Sequence, residues 1–549
     1  MENTDPEVDD VGRRKWIGLG VLALGLSLIV IDGTIVNVSL PVIIEDLNLD
    51  LTDAQWINSI YSVVFAALLL TTGSLGDRVG RRLLFIIGVL VFIAGSLAAA
   101  SSDTSTTLIT ARVVQGIGGA LVLPCTLSTV NATFRGRDRA IAFGVWGAVI
   151  SGMAAVGPLL GGWLTTSFTW PWIFLVNIPV GIIVIIGALL FVPETRSKAE
   201  VPGLDYLGPV LSAIGFGSLV FALIEGQKIG WWKPISDLRI PGLTWSESAP
   251  ISATPVVAAI SIVVLVAFVL WERYRANLRR SAILDLSLFR IRTFSWGNIT
   301  ALTVAIGEFG MLLVLPLFLV NAYGLSTLGS GYVLSVMALG AFASGAAARF
   351  VTAKLGAPRT VVFGLCLEVI GVLAFALYLR PSANVVVLAL LLAIYGMGLG
   401  LASAQLTGTV LVDIPTSESG EGSAIQSTSR QLGAALGTAI LGTVLSLGLA
   451  HSLTDRLDSG PLPPQVQSQL VDATRDSAGS TIPTIRDQGD TGRLGPAGPE
   501  TADELSDGFA DATRWSLFAA AGFLVIGLAG ATRLQPRRQV GNPVPDKTG

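Results

Sequence analysis

Fourteen apolar stretches of about 20 residues each, nearly free of charge, run through this chain, and each is long enough to cross the hydrocarbon core of a bilayer as a helix. They lie at 16–40, 53–75, 83–101, 106–130, 140–164, 171–192, 207–226, 254–271, 294–320, 329–348, 360–379, 385–411, 431–450 and 515–532. Lipid offers the backbone no hydrogen-bond partners, so such runs must bond to themselves as helices. Of the 549 residues, 52% are hydrophobic and 13% are charged, too little charge to cover a water-soluble surface of this length. The expected fold class is an all-α integral membrane protein with fourteen transmembrane helices.

The same composition removes several functions. The net charge of −3 is uninformative about nucleic acid, because almost no surface is available to carry it, and no nucleic-acid partner is expected. Cys125 and Cys366 both sit in apolar runs and read as small buried hydrophobes, not as a disulfide or a metal site. With His451 as the single histidine, neither a histidine metal cluster nor a Ser-His-Asp constellation can be assembled in the bilayer. Residues 1–10 are acidic, Arg13, Arg14 and Lys15 follow, and the run at 16–40 is too long for the apolar core of a signal peptide. It reads as a first span.

Lysine and arginine in the connecting segments set the orientation. With the N-terminus inside, cytoplasmic segments hold 25 of them and outer segments 9, which places both termini in the cytoplasm of a multi-pass cell-membrane protein. Two outer stretches are long and polar. The first, 227–253, carries Trp231, Trp232 and Trp245, which suit a membrane interface. The second, 451–513, offers short amphipathic helices at 464–475 and 500–513, with an expected disordered segment at 477–498.

Between spans 2 and 3 stands Gly73-Ser-Leu-Gly-Asp77-Arg78-Val-Gly80-Arg81-Arg82. The glycines suit a tight turn, and Asp77 can cap a helix or pair with an arginine of a neighbouring helix. The ordered pattern resembles the signature loop of the major facilitator superfamily. Ile31-Asp32-Gly-Thr34-Ile-Val-Asn37-Val-Ser-Leu-Pro41 resembles the first-helix motif of its fourteen-helix drug–proton antiporters. Arg112-Val-Val-Gln115-Gly116-Ile-Gly118-Gly119 is similar to the fourth-helix motif with its intramembrane arginine. Gly157-Pro158-Leu-Leu-Gly161-Gly162 resembles the core of the fifth-helix antiporter motif, although Gly152 upstream is one residue off the usual spacing. Trp170-Pro-Trp172-Ile-Phe174-Leu-Val-Asn177-Ile-Pro179-Val-Gly181 resembles the start of the sixth helix, with Pro171 where an arginine is usual. In the second half the Asp-Arg loop is reduced to Arg349, Lys354 and Arg359 without an acidic partner.

The resemblance implies two six-helix bundles rocking about a central site, with two helices inserted between them. The corresponding divisions are an N-terminal segment at 1–15, a first bundle at 16–192 and an inserted pair within 193–293. A second bundle follows at 294–532, with its outer loop at 451–513, then a tail at 533–549. Spans 1, 4, 9 and 12 would line the cavity, and the glycine–arginine loop (Gly73, Asp77, Arg78, Gly80, Arg81) would gate it.

Burial picks out some of the same residues independently. An ionisable group inside a span costs at least ~2.5–3.5 kcal/mol and is a functional candidate by default. Asp32 in span 1, Arg112 in span 4, Glu308 in span 9 and Glu368 in span 11 lie deep, while Glu225 and Asp413 sit near span ends. Gln115 shares a helix face with Arg112, and Gln405 adds a polar group on span 12. Structural readings stand beside these. Asp32 could satisfy Thr34 and Asn37, Arg112 could be a plain ion-pair partner, Glu308 could sit where Gly307 and Gly310 let helices approach, and Glu368 lies off the cavity helices.

No G-x-x-x-x-G-K-[ST] phosphate loop is present, so a proton gradient is the expected energy source, with no cofactor and no metal. The expected function is a proton-coupled antiporter, not an enzyme, exporting small hydrophobic, often cationic, drugs. Asp32 and Glu308 would carry protons, while Arg112, Gln115 and Gln405 would face the cavity and Gly157, Pro158, Gly161 and Gly162 would couple the two. Partners would be the substrate, protons and the bilayer, with the chain a monomer. A dedicated exporter of a lipid, metabolite or self-made antibiotic, and a non-transporting membrane sensor, remain as rivals.

Overall fold

The computed structural model describes residues 6–134, 136–196, 205–240, 243–278, 280, 283–284, 286–414, 419–458 and 462–534. The first bundle is built from α1 (Pro6–Leu47), α2 (Leu51–Val79), α3 (Arg81–Ala100), α4 (Ser105–Thr133), α5 (Gly136–Ser167), the short α6 (Trp172–Leu175) and α7 (Asn177–Phe191). An inserted pair follows, α8 (Leu207–Ile229) and α9 (Ala253–Asn277), joined through an antiparallel hairpin of β1 (Leu238–Ile240) and β2 (Leu243–Trp245). The second bundle holds α10 (Arg292–Leu317), α11 (Thr327–Leu355), α12 (Ala357–Tyr378), α13 (Val385–Val410) and α14 (Ser419–Leu457). The short α15 (Pro464–Asp476) and α16 (Thr481–Gln488) precede α17 (Gly498–Ala531).

Each of the fourteen expected spans coincides with a long helix, the sixth being broken between α6 and α7. Twelve spans among the described residues are long and apolar enough to cross a membrane by composition alone. The other two expected spans fall on α2 and α5, of 29 and 32 residues. These run against spanning neighbours, α2 against α4 and α14, α5 against α1 and α11.

Two seams join the bundles, α2 on α14 and α5 on α11. At the first, the hydroxyls of Ser59 and Thr438 are 2.5 Å apart. At the second, a Cβ at Gly162 would lie 3.0 Å from the Leu328 Cα, and one at Gly331 would lie 2.7 Å from the Pro158 carbonyl. Between membrane helices apolar surface gives little net attraction, so small residues that admit backbone-to-backbone contact hold such seams. Both contacts lie toward the end of the molecule that carries the 47–51 and 167–172 turns and the loop after α14.

The inserted α8 lies across the α2–α14 seam and bonds to both sides of it. The Trp56 indole donates to Glu225 at 2.8 Å and Lys228 pairs with Asp50 at 2.9 Å, while the Gln227 amide donates to the Thr443 hydroxyl at 2.8 Å. Val220 and Ile224 pack there with Val63 of α2 and with Ala435 and Ala439 of α14. Within the insertion expected as a linker, α8 is thus a strap over the interface, and α9 packs against α8.

Segment 477–498, expected to be disordered, is folded. It forms α16 and two 3-10 turns at Gly489–Thr491 and Gly495–Ala497. Ile482 is fully buried, the Asn321 amide donates to the Ala478 carbonyl at 2.9 Å, and Arg486 donates to the Ala322 carbonyl and the Ser506 hydroxyl. The segment is too polar to form a core alone and borrows one from the π-helical turn Phe318–Ala322 that follows α10 and from the first turns of α17. Expected helix 464–475 is α15, and 500–513 is continuous with the last span in α17.

Trypsin should therefore spare Arg486 in the folded protein. Asn321→Ala removes one anchor at about 1 kcal/mol, which should raise cleavage there about fivefold. Immediate cleavage of the unmodified chain would show that the segment is not packed.

Candidate functional site

Polar side chains from five helices of the first bundle meet around one carboxylate. Asp32 comes from α1, Arg112 and Gln115 from one face of α4, Ser96 from α3, Asn177 from the start of α7 and Tyr61 from α2. Arg112 Nη1 lies 2.5 Å from Asp32 Oδ2 and 2.9 Å from the Gln115 side-chain Oε1, and its Nε donates to the Ile57 backbone carbonyl at 3.2 Å. The Gln115 amide donates to Asp32 Oδ1 and to Ser96 Oγ, both at 2.9 Å. Asn177 donates to the same two oxygens at 3.1 and 3.2 Å. The Tyr61 ring lies 4.4 Å from the guanidinium carbon. None of these side chains is more than 5% exposed.

Three donors, one of them cationic, converge on Asp32, an arrangement complementary to its carboxylate form. Asp32, Arg112 and Gln115 are enclosed within their own bundle in this conformation and do not stand on an open cavity wall. Thr34 bonds to its own helix instead, through the Val30 and Ile31 carbonyls, and Asn37 donates to the Gly33 carbonyl.

The glycine–proline motif on α5 explains how α1 is held beside this network. Gly157 and Gly161 share one face, where a Cβ at Gly157 would strike the Thr34 hydroxyl and one at Gly161 would lie 2.8 Å from the Ile35 carbonyl. Pro158 and Gly162 share the neighbouring face and meet α11. The motif therefore touches Thr34, two residues from Asp32, on one side and the inter-bundle seam on the other.

In the expected gating loop, Gly80 joins α2 to α3 with φ of 130°, a conformation that disfavours a side chain. The Arg82 and Leu83 amides donate to the Glu194 carboxylate at 3.1 and 3.3 Å, so Glu194 supplies the negative charge at the start of α3. Arg81 donates from its side chain to the Ser128 carbonyl of α4. Gly73 and Arg78 lie on α2, and the side chain of Asp77 lies outside the described residues.

Glu308, expected to be a lone acid, has a partner. Arg430 Nη2 lies 3.2 and 3.4 Å from its two carboxyl oxygens. The sequence reading began span 13 at residue 431 and left Arg430 among the cytoplasmic cations, whereas α14 begins at Ser419 and carries it three turns along the helix. Glu308 is mostly buried while the Arg430 side chain is 42% exposed. Gln405 on α13 is half-buried, its own carbonyl accepting from Thr409, and among the described residues its side chain takes part in neither cluster. Glu368 on α12 is fully buried.

Several contributors escaped the sequence reading. Asn177 stood within a quoted motif without a role, and as an amide in an apolar run it carried a usable signal. Ser96, Tyr61 and Glu194 carried none, since each has an ordinary bland explanation.

Arg112→Met should destabilise the protein by about 3–5 kcal/mol, because it strands a buried carboxylate. Adding Asp32→Asn should recover most of that loss in thermal unfolding in detergent. Equal instability of the single and double variants would mean that the pair is not coupled.

Residues 22–438 match the sequence profile of the Major Facilitator Superfamily. The chain is 30% identical over 469 residues to multidrug resistance protein Stp of Mycobacterium tuberculosis, covering 85% of this chain and 83% of the relative. It is 28% identical over 467 residues to the tetracenomycin C resistance and export protein of Streptomyces glaucescens, covering 84% and 82%. In three dimensions it resembles a bacterial homolog of the human lysosomal transporter Spinster in an inward-facing and occupied conformation, with a TM-score of 0.58 at 16% identity over 94% of this chain and 96% of that one. A family profile spanning most of the chain, and a two-bundle helical fold shared with a solved transporter, lead to one conclusion: this chain belongs to the major facilitator superfamily.

Proposed function

We propose that the chain is a proton-driven antiporter that exports small hydrophobic, often cationic, compounds across the cell membrane by alternating access. The relatives named for multidrug resistance and for tetracenomycin C export support the substrate class. The observation that carries the mechanism is the buried Asp32–Arg112 pair, set two residues from the glycine–proline contact that also meets α11. With both termini in the cytoplasm, the Gly162–Leu328 and Ser59–Thr438 contacts between the bundles lie toward the outer side.

Arg112, Gln115 and Asn177 all donate to Asp32, a set of donors matched to a carboxylate. A proton arriving at its carboxylate replaces the Arg112 bond and weakens the hold of α1 on α4. Because α5 packs on α1 beside this point and on α11 beyond it, a shift of α1 reaches the outer seam. Glu308 in the opposite bundle offers a second acid, and its half-exposed partner Arg430 can be displaced by a proton or by a cationic substrate. The chain works as a monomer, needing no cofactor beyond the gradient.

Export of a single self-made compound is a second reading, favoured by the tetracenomycin C relative. A panel of unrelated dyes and antibiotics separates the two, since a drug exporter moves several and a dedicated one moves one.

The coupling is tested with Asp32→Asn and Glu308→Gln in everted vesicles energised by a pH gradient, using ethidium and a neutral dye. Asp32→Asn should bind both compounds but lose pH-driven transport by roughly 10²-fold, the scale set by removing a proton-transfer group. Glu308→Gln should lose transport of both compounds if it couples protons, and only that of ethidium if it recognises cations. Unchanged transport in both variants at matched expression would remove the proposed carriers.

A further inference from the structure

The second bundle holds an acid that this mechanism leaves unused. Glu368 lies midway along α12, fully buried, and neither of its carboxyl oxygens meets a hydrogen-bond partner among the described residues. The walls around it are close-packed backbone. A Cβ at Gly398 of α13 would lie 2.9 Å from the Glu368 Cγ, and one at Gly371 would lie 2.6 Å from the Tyr395 nitrogen. An ionised carboxylate in such a place has no donor to replace water, so the group stays neutral by keeping its proton.

The groups that face Glu368 are few. Tyr395 comes from α13, its hydroxyl buried and also without a partner. Glu308 of α10 and Arg430 of α14 act on it only through their charge, since the helices packed on α12 are α13, α17 and α11. Arg430 is already paired with Glu308, so that couple is neutral and offers Glu368 no uncompensated charge. From α17, which also packs on α12, Arg514 and Asp511 lie at the outer end, where Arg514 donates to the Ala376 and Leu379 carbonyls. From α11, Arg349 and Lys354 lie toward the opposite end.

We propose that Glu368 is a further proton-binding site of the transporter, loaded in the conformation seen here and emptied when the bundle rearranges so that Arg430 faces it unpaired. The inference rests on the antiport reading for its role in transport, and on the burial of Glu368 alone for its protonation. The step moves one proton: the Glu368 carboxyl gives it to water in the opened cavity and becomes a carboxylate matched by Arg430. Glu308, released from Arg430, is then free to accept a proton or a cationic substrate. The exchange links the buried acid to the half-exposed pair, with Arg430 passing from one carboxylate to the other.

Infrared spectra of the full chain in lipid, with Glu368→Gln as the comparison, test the protonation directly. At neutral pH the unsubstituted protein should show a protonated-carboxyl band that Glu368→Gln lacks, and no such difference overturns the proposal. In everted vesicles Glu368→Gln should slow pH-driven ethidium transport by about tenfold or more, as loss of a proton-transfer group does, yet retain ethidium counterflow, which moves no net proton. Unchanged pH-driven transport overturns the role in coupling. If the unsubstituted protein itself shows no pH-driven ethidium movement, the antiport reading fails, and the infrared band alone decides whether Glu368 binds a proton. Should Glu368→Gln not reach the membrane, Glu368→Asp takes its place: its protonated band should persist at a shifted frequency, and a band identical to the original overturns the assignment.

Discussion

A carboxylate can be buried in the first bundle only because a guanidinium and two amides are buried with it. Asp32 sits at 0% exposure, where an unpaired charge would be intolerable, and Arg112, Gln115 and Asn177 make it tolerable. Much of the bundle follows from that requirement. The donors reach one oxygen pair from two different helices, and Ser96 and the Ile57 carbonyl take up donor hydrogens left over. The helices are tied to the network more tightly than apolar contact in lipid alone would tie them. Adding one proton to Asp32 removes the charge that justifies the arrangement, so the network is suited to two states.

The glycine–proline motif gives that local change a mechanical outlet. Gly157 and Gly161 bring α5 onto the backbone of α1, while Pro158 and Gly162 bring it onto α11 of the other bundle. Closely packed backbones do not deform gradually, so a shift of α1 is passed to the seam or refused there. On the opposite side the α2–α14 seam is covered by α8, whose end is bonded to both bundles. Through α8 the insertion thus acts on the interface itself, with α9 packed behind it.

Much of this architecture was legible because lipid imposes a simple rule on sequence: long apolar runs must be helices. The loop motif, the first- and fourth-helix motifs and the glycine–proline pattern were readable through their resemblance to the family's motifs, while Asp32 and Arg112 also stand out as charges against an apolar background. Asp32 and Arg112 could be named separately, but their pairing could not, because the helices between them must pack before the two meet. Arg430 was misplaced by a boundary: the polar run at 419–430 lowers the hydropathy, and a helix that carries its cation inward resembles a loop until its neighbour is seen. Segment 477–498 failed for the opposite reason. It lacks enough apolar residues for a core of its own, and residues distant in sequence, among them Asn321, Ala322, Ser506 and Phe509, supply the missing partners.

The account stands on the obligatory exchange of protons for substrate through buried carboxyl groups. Its most direct test is made with the purified, unsubstituted chain in sealed proteoliposomes enclosing a pH-sensitive dye, with no pH gradient imposed at the start. An ethidium gradient alone should then drive protons in the direction opposite to ethidium, at a fixed ratio to the ethidium moved. Ethidium movement with no change in internal pH, at any size of gradient, would contradict the account.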